Sequence, residues 1–128
     1  MTDPIVFIIR HRVKHGMFDD FKNHYLKSIP LTEKSKQGTI IQLAYIDDNA
    51  AEVDIIRIFP TAKALDQQLQ GADQRSKTTY KFIEPTGITI YGTPNNYALE
   101  MIKKVAGSGI DVSVKSQFIG GFIRSNPG

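Results

Sequence analysis

The sequence predicts a single α+β domain whose strands and helices follow the order β-α-β-β-α-β. A segment rich in β-branched and aromatic residues, Ile5–Lys14, gives way to apolar residues spaced three and four apart, which indicates a strand followed by a helix. Two further strand-like segments are separated by the turn-forming residues 47–50, which predicts an antiparallel hairpin. The length of 128 residues suits one domain spanning residues 1–128.

The first half of the chain predicts a strand, a helix and a hairpin. The first strand ends before Gly16, and the helix that follows begins at Met17. Pro30 is predicted at the end of this helix or just beyond it, because proline disfavours the helical conformation of the residue before it. The two hairpin strands are predicted over residues 39–46 and 52–59.

The next part of the chain predicts an interrupted helix and a fourth strand. Thr61 is predicted to cap the second helix. Gly71 divides that helix, so a second piece runs from about residue 73 to 83. Residues 84–87, Glu-Pro-Thr-Gly, break the helix before a strand over residues 88–91. This order of elements is the ferredoxin-like, or split βαβ, arrangement.

An extra helix and strand follow the ferredoxin-like part. The predicted core covers about residues 4–92, and the extension covers residues 93–128. Asn95 or Asn96 caps the extra helix. A last extended segment is predicted over residues 112–124, where two consecutive glycines indicate a kink or bulge.

Two predicted strands carry apolar side chains on both faces, which predicts an oligomer. On the first strand, Ile5 and Phe7 lie on one face. Val6 and Ile8 lie on the other, and the strand over residues 52–59 repeats this pattern. Because the helices of such a fold cover one face of the sheet, the second face needs another cover, and a partner sheet is the simplest one. We therefore expect a homodimer.

The composition narrows the range of functions. The chain has no cysteine, which excludes disulfides and cysteine nucleophiles and is consistent with a cytoplasmic protein. No apolar run reaches the length of about 18 residues that a membrane span needs. The first apolar stretch stops at Arg10 and is interpreted as a strand rather than a signal peptide. The net charge of +3 is mild, and the basic residues of segment 10–15 alternate between two strand faces, so nucleic-acid binding is not expected.

Three segments of the chain carry a resemblance to a known family. They are the first strand with its turn (residues 6–16), the strand-to-helix junction (58–65) and the segment Gly-Ala-Asp-Gln-Arg-Ser (71–76). Together they resemble the antibiotic biosynthesis monooxygenase superfamily over roughly residues 4–92. The third segment is similar to one in the quinone-forming monooxygenases of that group, which use no cofactor. The resemblance implies a dimeric α/β barrel, in which two ferredoxin-like sheets pack face to face.

The resemblance also implies where a pocket would lie. In the quinone-forming monooxygenases an Asn, a Trp, a Tyr and an Arg surround a pocket between sheet and helices. Counting from the strand-to-helix junction, these four positions fall on Ile55, Phe59, Leu65 and Thr79. None of the four side chains matches, and the chain contains no tryptophan. The haem-degrading branch needs a histidine on a helix, near which this chain has Gln74 and Arg75.

The histidines are candidates for acid–base chemistry rather than for a metal site. His11 and His15 lie four residues apart on a strand, a separation of roughly 13 Å at ~3.3 Å per residue. One ion with bonds of about 2.1 Å cannot bridge that distance. His11 shares a face with Phe7 and Ile9, so we expect it to be buried, either as a core histidine bonded to a carbonyl or as a base. His24 lies beside the apolar face of the first helix. Since histidine titrates near neutrality, both are candidate catalytic bases.

One arginine and several aromatic residues are candidates for holding an anionic substrate. Arg57 lies between Ile55 and Phe59, on the pocket side of its strand. A buried arginine needs an anionic partner. We expect an internal carboxylate such as Asp66 or Glu84, with a ligand as the alternative. The candidate substrate-binding residues are Tyr25, Tyr45, Phe59, Arg75 and Tyr80.

Two functions follow from these observations. The first is a cofactor-independent, monooxygenase-like enzyme acting on a small aromatic or polyketide-like molecule, in which a histidine forms the substrate anion and Arg57 or Arg75 holds it. Isomerase or cyclase chemistry needs the same groups. The alternative is a non-catalytic, dimeric small-ligand-binding or stress-associated barrel, whose pocket is filled by side chains such as Ile55 and Leu65. An empty cavity of roughly 300 Å³ or more, reached by a histidine or an arginine, favours the enzyme.

Overall fold

The computed structural model describes residues 3–124 as five strands and four helices around one sheet. The strands are β1 (Ile5–Val13), β2 (Ile41–Asp47), β3 (Glu52–Phe59), β4 (Ile83–Tyr91) and β5 (Asp111–Lys115). The helices are α1 (Phe18–Ser35), α2 (Ala62–Leu69), α3 (Ala72–Thr79) and α4 (Asn96–Ala106). The last part of the predicted extension, residues 125–128, lies outside the described residues.

The sheet has the strand order β2-β3-β1-β4-β5, and it confirms the predicted ferredoxin-like arrangement. The pairs β2–β3, β1–β3 and β1–β4 are antiparallel, whereas β5 adds to β4 in parallel. The predicted final strand is shorter than expected, because the strand ends at Lys115 and residues 116–124 form no regular element.

Helix α1 continues through the proline that was predicted to end it, so that prediction is wrong. Pro30 lies inside α1, which runs on to Ser35. Proline removes the hydrogen bond to the carbonyl of Leu26, one turn earlier. Both residues lie on the exposed side of the helix, where water can bond the freed carbonyl. The cost is therefore small enough for the helix to continue.

Strand β4 begins five residues earlier than predicted, and it includes the segment that was expected to be a helix breaker. The pairing of β1 with β4 shifts register at one point, where Arg10 pairs with Gly87 but His11 pairs with Pro85. Thr86 is the extra residue of this bulge. A proline lacks the N–H that a regular ladder needs, and a bulge is a position that tolerates it. Consequently α3 also ends earlier than predicted, at Thr79.

The helix caps explain where the chain turns away from the sheet. The Thr61 hydroxyl accepts a hydrogen bond of 3.1 Å from the Ala64 N–H and caps α2 as predicted. Asn95 precedes α4, but its side chain donates instead to Asp66 Oδ2, over 2.8 Å. That bond ties the start of α4 to α2. Among residues 3–124, every helix is too short or too polar to span a lipid bilayer.

The two faces of the sheet have different surroundings. One face lies beneath the helices and carries a buried cluster that includes Phe7, Phe59, Leu65 and Ile90. We call the opposite side the open face, because none of the helices α1 to α4 covers it. Side chains that pair directly across strands share a face. The apolar part of the open face consists of Val6, Ile8, Ile41, Leu43, Tyr45, Ile56, Ile58 and Tyr91.

Gly92 is required where the chain leaves β4. Its φ of +114° disfavours an L side chain, and a Cβ there would lie 2.9 Å from the Pro4 carbonyl oxygen. We predict that Gly92→Ala lowers the free energy of unfolding by about 2–4 kcal/mol, since strain and overpacking add. Gly109→Ala is the matched control, because Gly109 also has a positive φ (+87°) but open space around it. Urea unfolding of both variants measures the change in the free energy of unfolding. Equal losses of stability in the two variants would contradict the contribution of the steric clash at Gly92.

Candidate functional site

A cavity of about 340 Å³ lies between the helix-covered face of the sheet and the helices. Strands β1 to β4 supply its floor, and all four helices supply its walls and rim. Most of its surface is apolar. The residues that matter for its chemistry are His11, His24, Tyr25, Gln42, Arg57, Arg75, Thr79 and Tyr80. The cavity exceeds the roughly 300 Å³ that favours a small-molecule site over a filled core.

The pocket positions implied by the family resemblance all line this cavity. They are Ile55, Phe59, Leu65 and Thr79. Ile55, Phe59 and Leu65 are buried, so the polar side chains of the quinone-forming monooxygenases are replaced here by apolar walls. The site therefore has the expected location and a different set of functional groups.

His11 is buried at the floor of the cavity. Its side chain is 4% exposed, and its Nδ1 atom has no hydrogen-bond partner among the described residues. Burial lowers the pKa of His11 to about 4. A hydrogen bond between the ring and the Val53 main chain partly opposes that shift of the pKa, and the positive charge of Arg57 adds to it. His11 is therefore neutral at physiological pH.

Arg57, Gln42 and Tyr25 form a hydrogen-bonded chain at another part of the cavity. Arg57 Nε donates to Gln42 Oε1 over 2.8 Å, and Gln42 Nε2 lies 3.4 Å from the Tyr25 hydroxyl. Tyr25 in turn stacks on Phe21, with ring centroids 5.9 Å apart. Burial lowers the pKa of Arg57 to about 10, which leaves the guanidinium charged at neutral pH.

Arg57 has no carboxylate partner among residues 3–124, so the expected internal ion pair is wrong. Glu84 pairs with Arg12 on the open face. Asp66 accepts from Asn95 instead. Both carboxylates lie outside the set of residues that line the cavity. The cavity therefore contains a cation whose charge is not balanced by a neighbouring acid.

His24 and Tyr80 line the cavity from α1 and from the end of α3. His24 Nε2 lies 3.4 Å from the Thr79 hydroxyl, and its ring packs at 5.2 Å from the ring of Phe82. The Thr79 hydroxyl donates to the Arg75 carbonyl over 3.3 Å, so it accepts from His24. This arrangement gives Nε2 the proton and leaves Nδ1 as the free acceptor. Burial raises the pKa of the Tyr80 hydroxyl.

Arg75 reaches the cavity but spends its hydrogen bonds on the backbone. Its two Nη groups donate to the carbonyls of Gln68 and Gln70, each over 2.6 Å. Lys36 Nζ donates to the Gln67 carbonyl over 2.8 Å and to the Gln70 carbonyl over 3.2 Å. Two cations thus satisfy the last carbonyls of α2, where the helix dipole is negative. Arg75 is first of all a structural residue.

The structure separates Tyr45 from the other predicted binding residues. Tyr45 pairs with Asp54 on the open face, is 62% exposed and lies outside the cavity. Successive strand side chains point to opposite faces, so its neighbour Ala44 faces the helices and Tyr45 faces away. Tyr45 is therefore removed from the substrate-binding set. Tyr25, Phe59, Arg75 and Tyr80 do line the cavity.

Gln42 is a candidate site residue that the sequence analysis did not identify. It is a polar residue within the apolar strand β2, and it pairs directly with Arg57 on β3. The available signal in the sequence was a polar residue within an apolar strand. Its significance depends on the exact pairing of the hairpin strands, which the sequence did not give. No three histidine or carboxylate side chains in the described part of the chain lie close enough to share a metal ion.

The burial of His11 predicts a pH-dependent stability. The folded-state pKa (about 4) lies below the ordinary value of 6.5, so the unfolded chain binds the proton more tightly. Stability is therefore complete above pH 6.5 and decreases as the pH falls toward 4. We expect a loss of about 2 kcal/mol between pH 7.5 and 5, measured by urea unfolding. His11→Gln should reduce this loss, whereas the exposed His15→Gln should not, and an unchanged pH dependence in His11→Gln would refute the assignment.

Comparison with known proteins relates the fold to solved structures. No family model matches the sequence, and no curated protein matches it either. MupZ from Pseudomonas fluorescens superposes with a TM-score of 0.69 at 11% identity, covering 94% of this chain and 96% of MupZ. SnoaB, a cofactor-independent oxygenase from Streptomyces nogalater, has a TM-score of 0.59 at 13% identity, covering 74% of this chain and 97% of SnoaB.

A third structure carries the family name. A proposed antibiotic biosynthesis monooxygenase from Chloroflexus aurantiacus has a TM-score of 0.55 at 11% identity, covering 69% of this chain and 90% of its own. The match with MupZ is longer and includes part of the C-terminal extension. Identities this low establish the fold alone. The chain has the ferredoxin-like fold of the antibiotic biosynthesis monooxygenase proteins, with an added C-terminal helix and strand.

Proposed function

We propose that this protein is a cofactor-independent, oxygenase-type enzyme that acts on a small aromatic or polyketide-like molecule in the cavity. The observation that carries the proposal is an apolar cavity of about 340 Å³ that contains Arg57, a cation without a carboxylate partner in the described chain. Such a site stabilises a flat apolar molecule that becomes an anion during reaction. The fold shared with SnoaB, a cofactor-independent oxygenase, supports the same proposal.

The chemistry requires a substrate that forms a stabilised anion. Removing a proton from a polycyclic phenol, or from its keto tautomer, gives one anion whose charge is shared by the oxygen and the opposite ring carbon. Arg57 holds the charged oxygen. Dioxygen then bonds the carbon and takes up the proton that the base removed, which gives a hydroperoxide. The carbon loses its remaining hydrogen as a proton while the O–O bond breaks, and this proton combines with the departing hydroxide to form water. One oxygen atom becomes the new carbonyl of a quinone, and the other is released as water.

We assign proton removal to His24 and hydrogen bonding of the substrate to His11. A base with a pKa near 4, such as His11, is poorly matched to a phenol of pKa about 10. His24 is less buried, and the Thr79 contact leaves its Nδ1 free to accept a proton. Phe59 and Tyr80 shape the apolar cavity around the ring system, and Arg75 supports the wall from α3.

Oxygen uptake tests the proposal. We expect the wild-type protein to consume oxygen with a dihydroxyanthracene-type phenol and to form a quinone. His24→Ala should lower the rate roughly 100-fold, the usual contribution of a general base, and His11→Ala should lower it less. His15→Ala is the matched control, because His15 is exposed and lies outside the cavity. No uptake by the wild-type protein would overturn oxygenation, and conversion without uptake would indicate an isomerase or cyclase instead.

A non-catalytic ligand-binding protein is the second candidate. Ile55 and Leu65 are apolar and buried at positions that are polar in the quinone-forming monooxygenases, which favours binding over reaction. Saturable binding of the phenol without any product, measured by calorimetry and by chromatography of the mixture, would support this candidate over the enzyme.

We also propose that the protein is a homodimer joined through the open face. Its apolar part includes Leu43, which is 47% exposed in the single chain, together with the neighbouring Ile8 and Ile56. At its other end the same face carries both signs of charge, with Arg10 directly opposite Asp54. A surface that holds an apolar patch and both charges suits a two-fold contact between identical sheets. The occupant we infer is therefore a second copy of this chain.

A further inference from the structure

The hydrogen bonds of Gln42 reveal which kind of group the Arg57 part of the cavity can bind. Arginine has no acceptor atoms, so the Gln42 atom that Arg57 Nε meets must be the carbonyl oxygen Oε1. The Gln42 amide nitrogen therefore points to the Tyr25 hydroxyl oxygen and donates to it. Since that oxygen accepts, the hydroxyl hydrogen of Tyr25 remains available for a ligand.

Arg57 adds further donors at the same place. Arg57 donates one hydrogen bond in the described chain, from Nε, and neither Nη group has a hydrogen-bond partner among residues 3–124. The Arg57 part of the cavity thus presents a positive charge and several hydrogen-bond donors, so it favours a group that accepts hydrogen bonds. An anionic oxygen fits this requirement best, because it also balances the charge of Arg57.

The floor of the cavity separates this donor set from His11. His11 pairs with Val53 on β3, four residues from Arg57, so their backbones lie roughly 13 Å apart at ~3.3 Å per residue. Between them lies the pair Ile9 and Ile55, which is apolar and faces the cavity. His11 Nδ1 is buried and unpartnered at the far side of that pair. A buried polar atom without a partner is costly, and a ligand that bonds it removes the cost.

We infer that the ligand is a flat aromatic molecule that carries an anionic oxygen at one end and a separate hydroxyl group at the other. The anionic oxygen bonds Arg57 and Tyr25, the aromatic body covers Ile9 and Ile55, and the hydroxyl group donates to His11 Nδ1. Gln42 determines the specificity, because it orients both Arg57 and Tyr25. This inference deepens the proposed function by naming the polarity of its substrate, and its test does not depend on turnover.

A series of naphthalenes tests the inference by calorimetry in oxygen-free buffer. The main probe is a hydroxynaphthoate whose carboxylate and hydroxyl lie at opposite ends, because a carboxylate is already anionic and does not react with oxygen. The comparison probes are the naphthoate without the hydroxyl, the matching hydroxynaphthamide and the parent naphthol. We expect the hydroxynaphthoate to bind roughly tenfold more tightly than the naphthoate, and 10–100-fold more tightly than the amide. Equal affinities across the series would overturn the inference without any change to the protein.

Three variants then locate the two ends. Tyr25→Phe should lower the preference for carboxylate over amide and leave the contribution of the hydroxyl unchanged. His11→Phe should abolish the tenfold contribution of the hydroxyl and leave the carboxylate preference unchanged. Gln42→Leu, which frees the Arg57 guanidinium to turn, should weaken the carboxylate preference as Tyr25→Phe does. If the two preferences change together in every variant, the two-ended arrangement is wrong.

The outcomes separate this inference from the proposed function. Ordered binding preferences without oxygen uptake support the two-ended ligand and remove the oxygenase. Oxygen uptake by a protein that binds all four naphthalenes equally supports the oxygenase and overturns the two-ended ligand. A thermal unfolding curve for each variant shows whether lost binding comes from the lost side chain or from a lost fold, and the comparison of ligands on the wild-type protein decides the matter where a variant does not fold.

Discussion

Arg57→Leu is expected to lower kcat/KM for the phenol at least about 100-fold, the usual effect of removing a group that stabilises the developing anion. The guanidinium is charged, lines an apolar cavity and has no carboxylate partner in the described chain. Its charge is therefore not used to balance another residue, and its interaction with the substrate is not weakened by a competing acid. Oxygen uptake under substrate-limiting conditions measures the effect.

The same substitution should raise the stability of the fold rather than lower it. A half-buried cation without an ionic partner costs desolvation energy, which leucine among apolar neighbours such as Ile55 and Phe59 does not. We expect Arg57→Leu to be about 1 kcal/mol more stable in urea unfolding. Loss of activity together with a gain of stability is typical of a functional residue that the fold does not need.

Two further variants complete this test. Arg57→Lys keeps the charge but lacks Nε and the planar fork, so it should recover part of the activity. Arg124→Leu is the matched control, because Arg124 lies after β5, where it contacts the ring of Phe122 far along the chain from the cavity residues. A destabilised Arg57→Leu protein with unchanged kcat/KM would mean that Arg57 is structural and that the proposed site is wrong.

Ile56→Asp is expected to convert the proposed dimer to a monomer. Ile56 lies on β3 in the middle of the open face, directly between Ile8 on β1 and Leu43 on β2. A carboxylate at this point would be buried against the partner sheet without a cation nearby, which costs several kcal/mol per site. Because a two-fold contact contains the substituted site twice, the cost of burying the carboxylate occurs twice in each dimer. Light scattering during size-exclusion chromatography measures the mass.

Leu31→Asp is the matched control for the dimer. Leu31 is 70% exposed on α1, away from the sheet, so the same charge is added without reaching the open face. We expect Leu31→Asp to remain a dimer. A wild-type protein with the mass of a single chain, or an Ile56→Asp protein with the mass of two, would rule out the open face as the interface.

Local sequence signals predicted most of the elements and failed at two prolines. The hairpin turn and the alternation of β3 gave that strand its observed bounds, Glu52–Phe59. Pro30 and Pro85 were both read as breaks, and both lie inside elements. In each case the surroundings made the missing N–H tolerable: an exposed helix side for Pro30 and a bulge in the ladder for Pro85. Neither condition is visible in the residues next to the proline.

The candidate site shows the same division. Alternation along β1 predicted that His11 would be buried, because it shares a face with Phe7 and Ile9, and its exposure of 4% confirms this. For β2, alternation alone did not show which side chains face the cavity. The observed register of β2 against β3 shows that Tyr45 faces away from the cavity and that Gln42 lies beside Arg57. A shift of one residue along a strand exchanges its two faces, so a small error in a strand boundary changes which side chains meet.

What the sequence determined by itself is the order of the elements, and with it the ferredoxin-like sheet and the apolar character of both its faces. Periodicity and turn residues act over a few positions, so they can be recognised in the sequence before the fold is known. The packing of the elements was needed to show that the side chains leave a cavity, that Arg57 lacks a carboxylate partner among the described residues and that Gln42 bonds both Arg57 and Tyr25. These are relations between residues distant in the chain, and they depend on how helices and strands pack rather than on any local pattern.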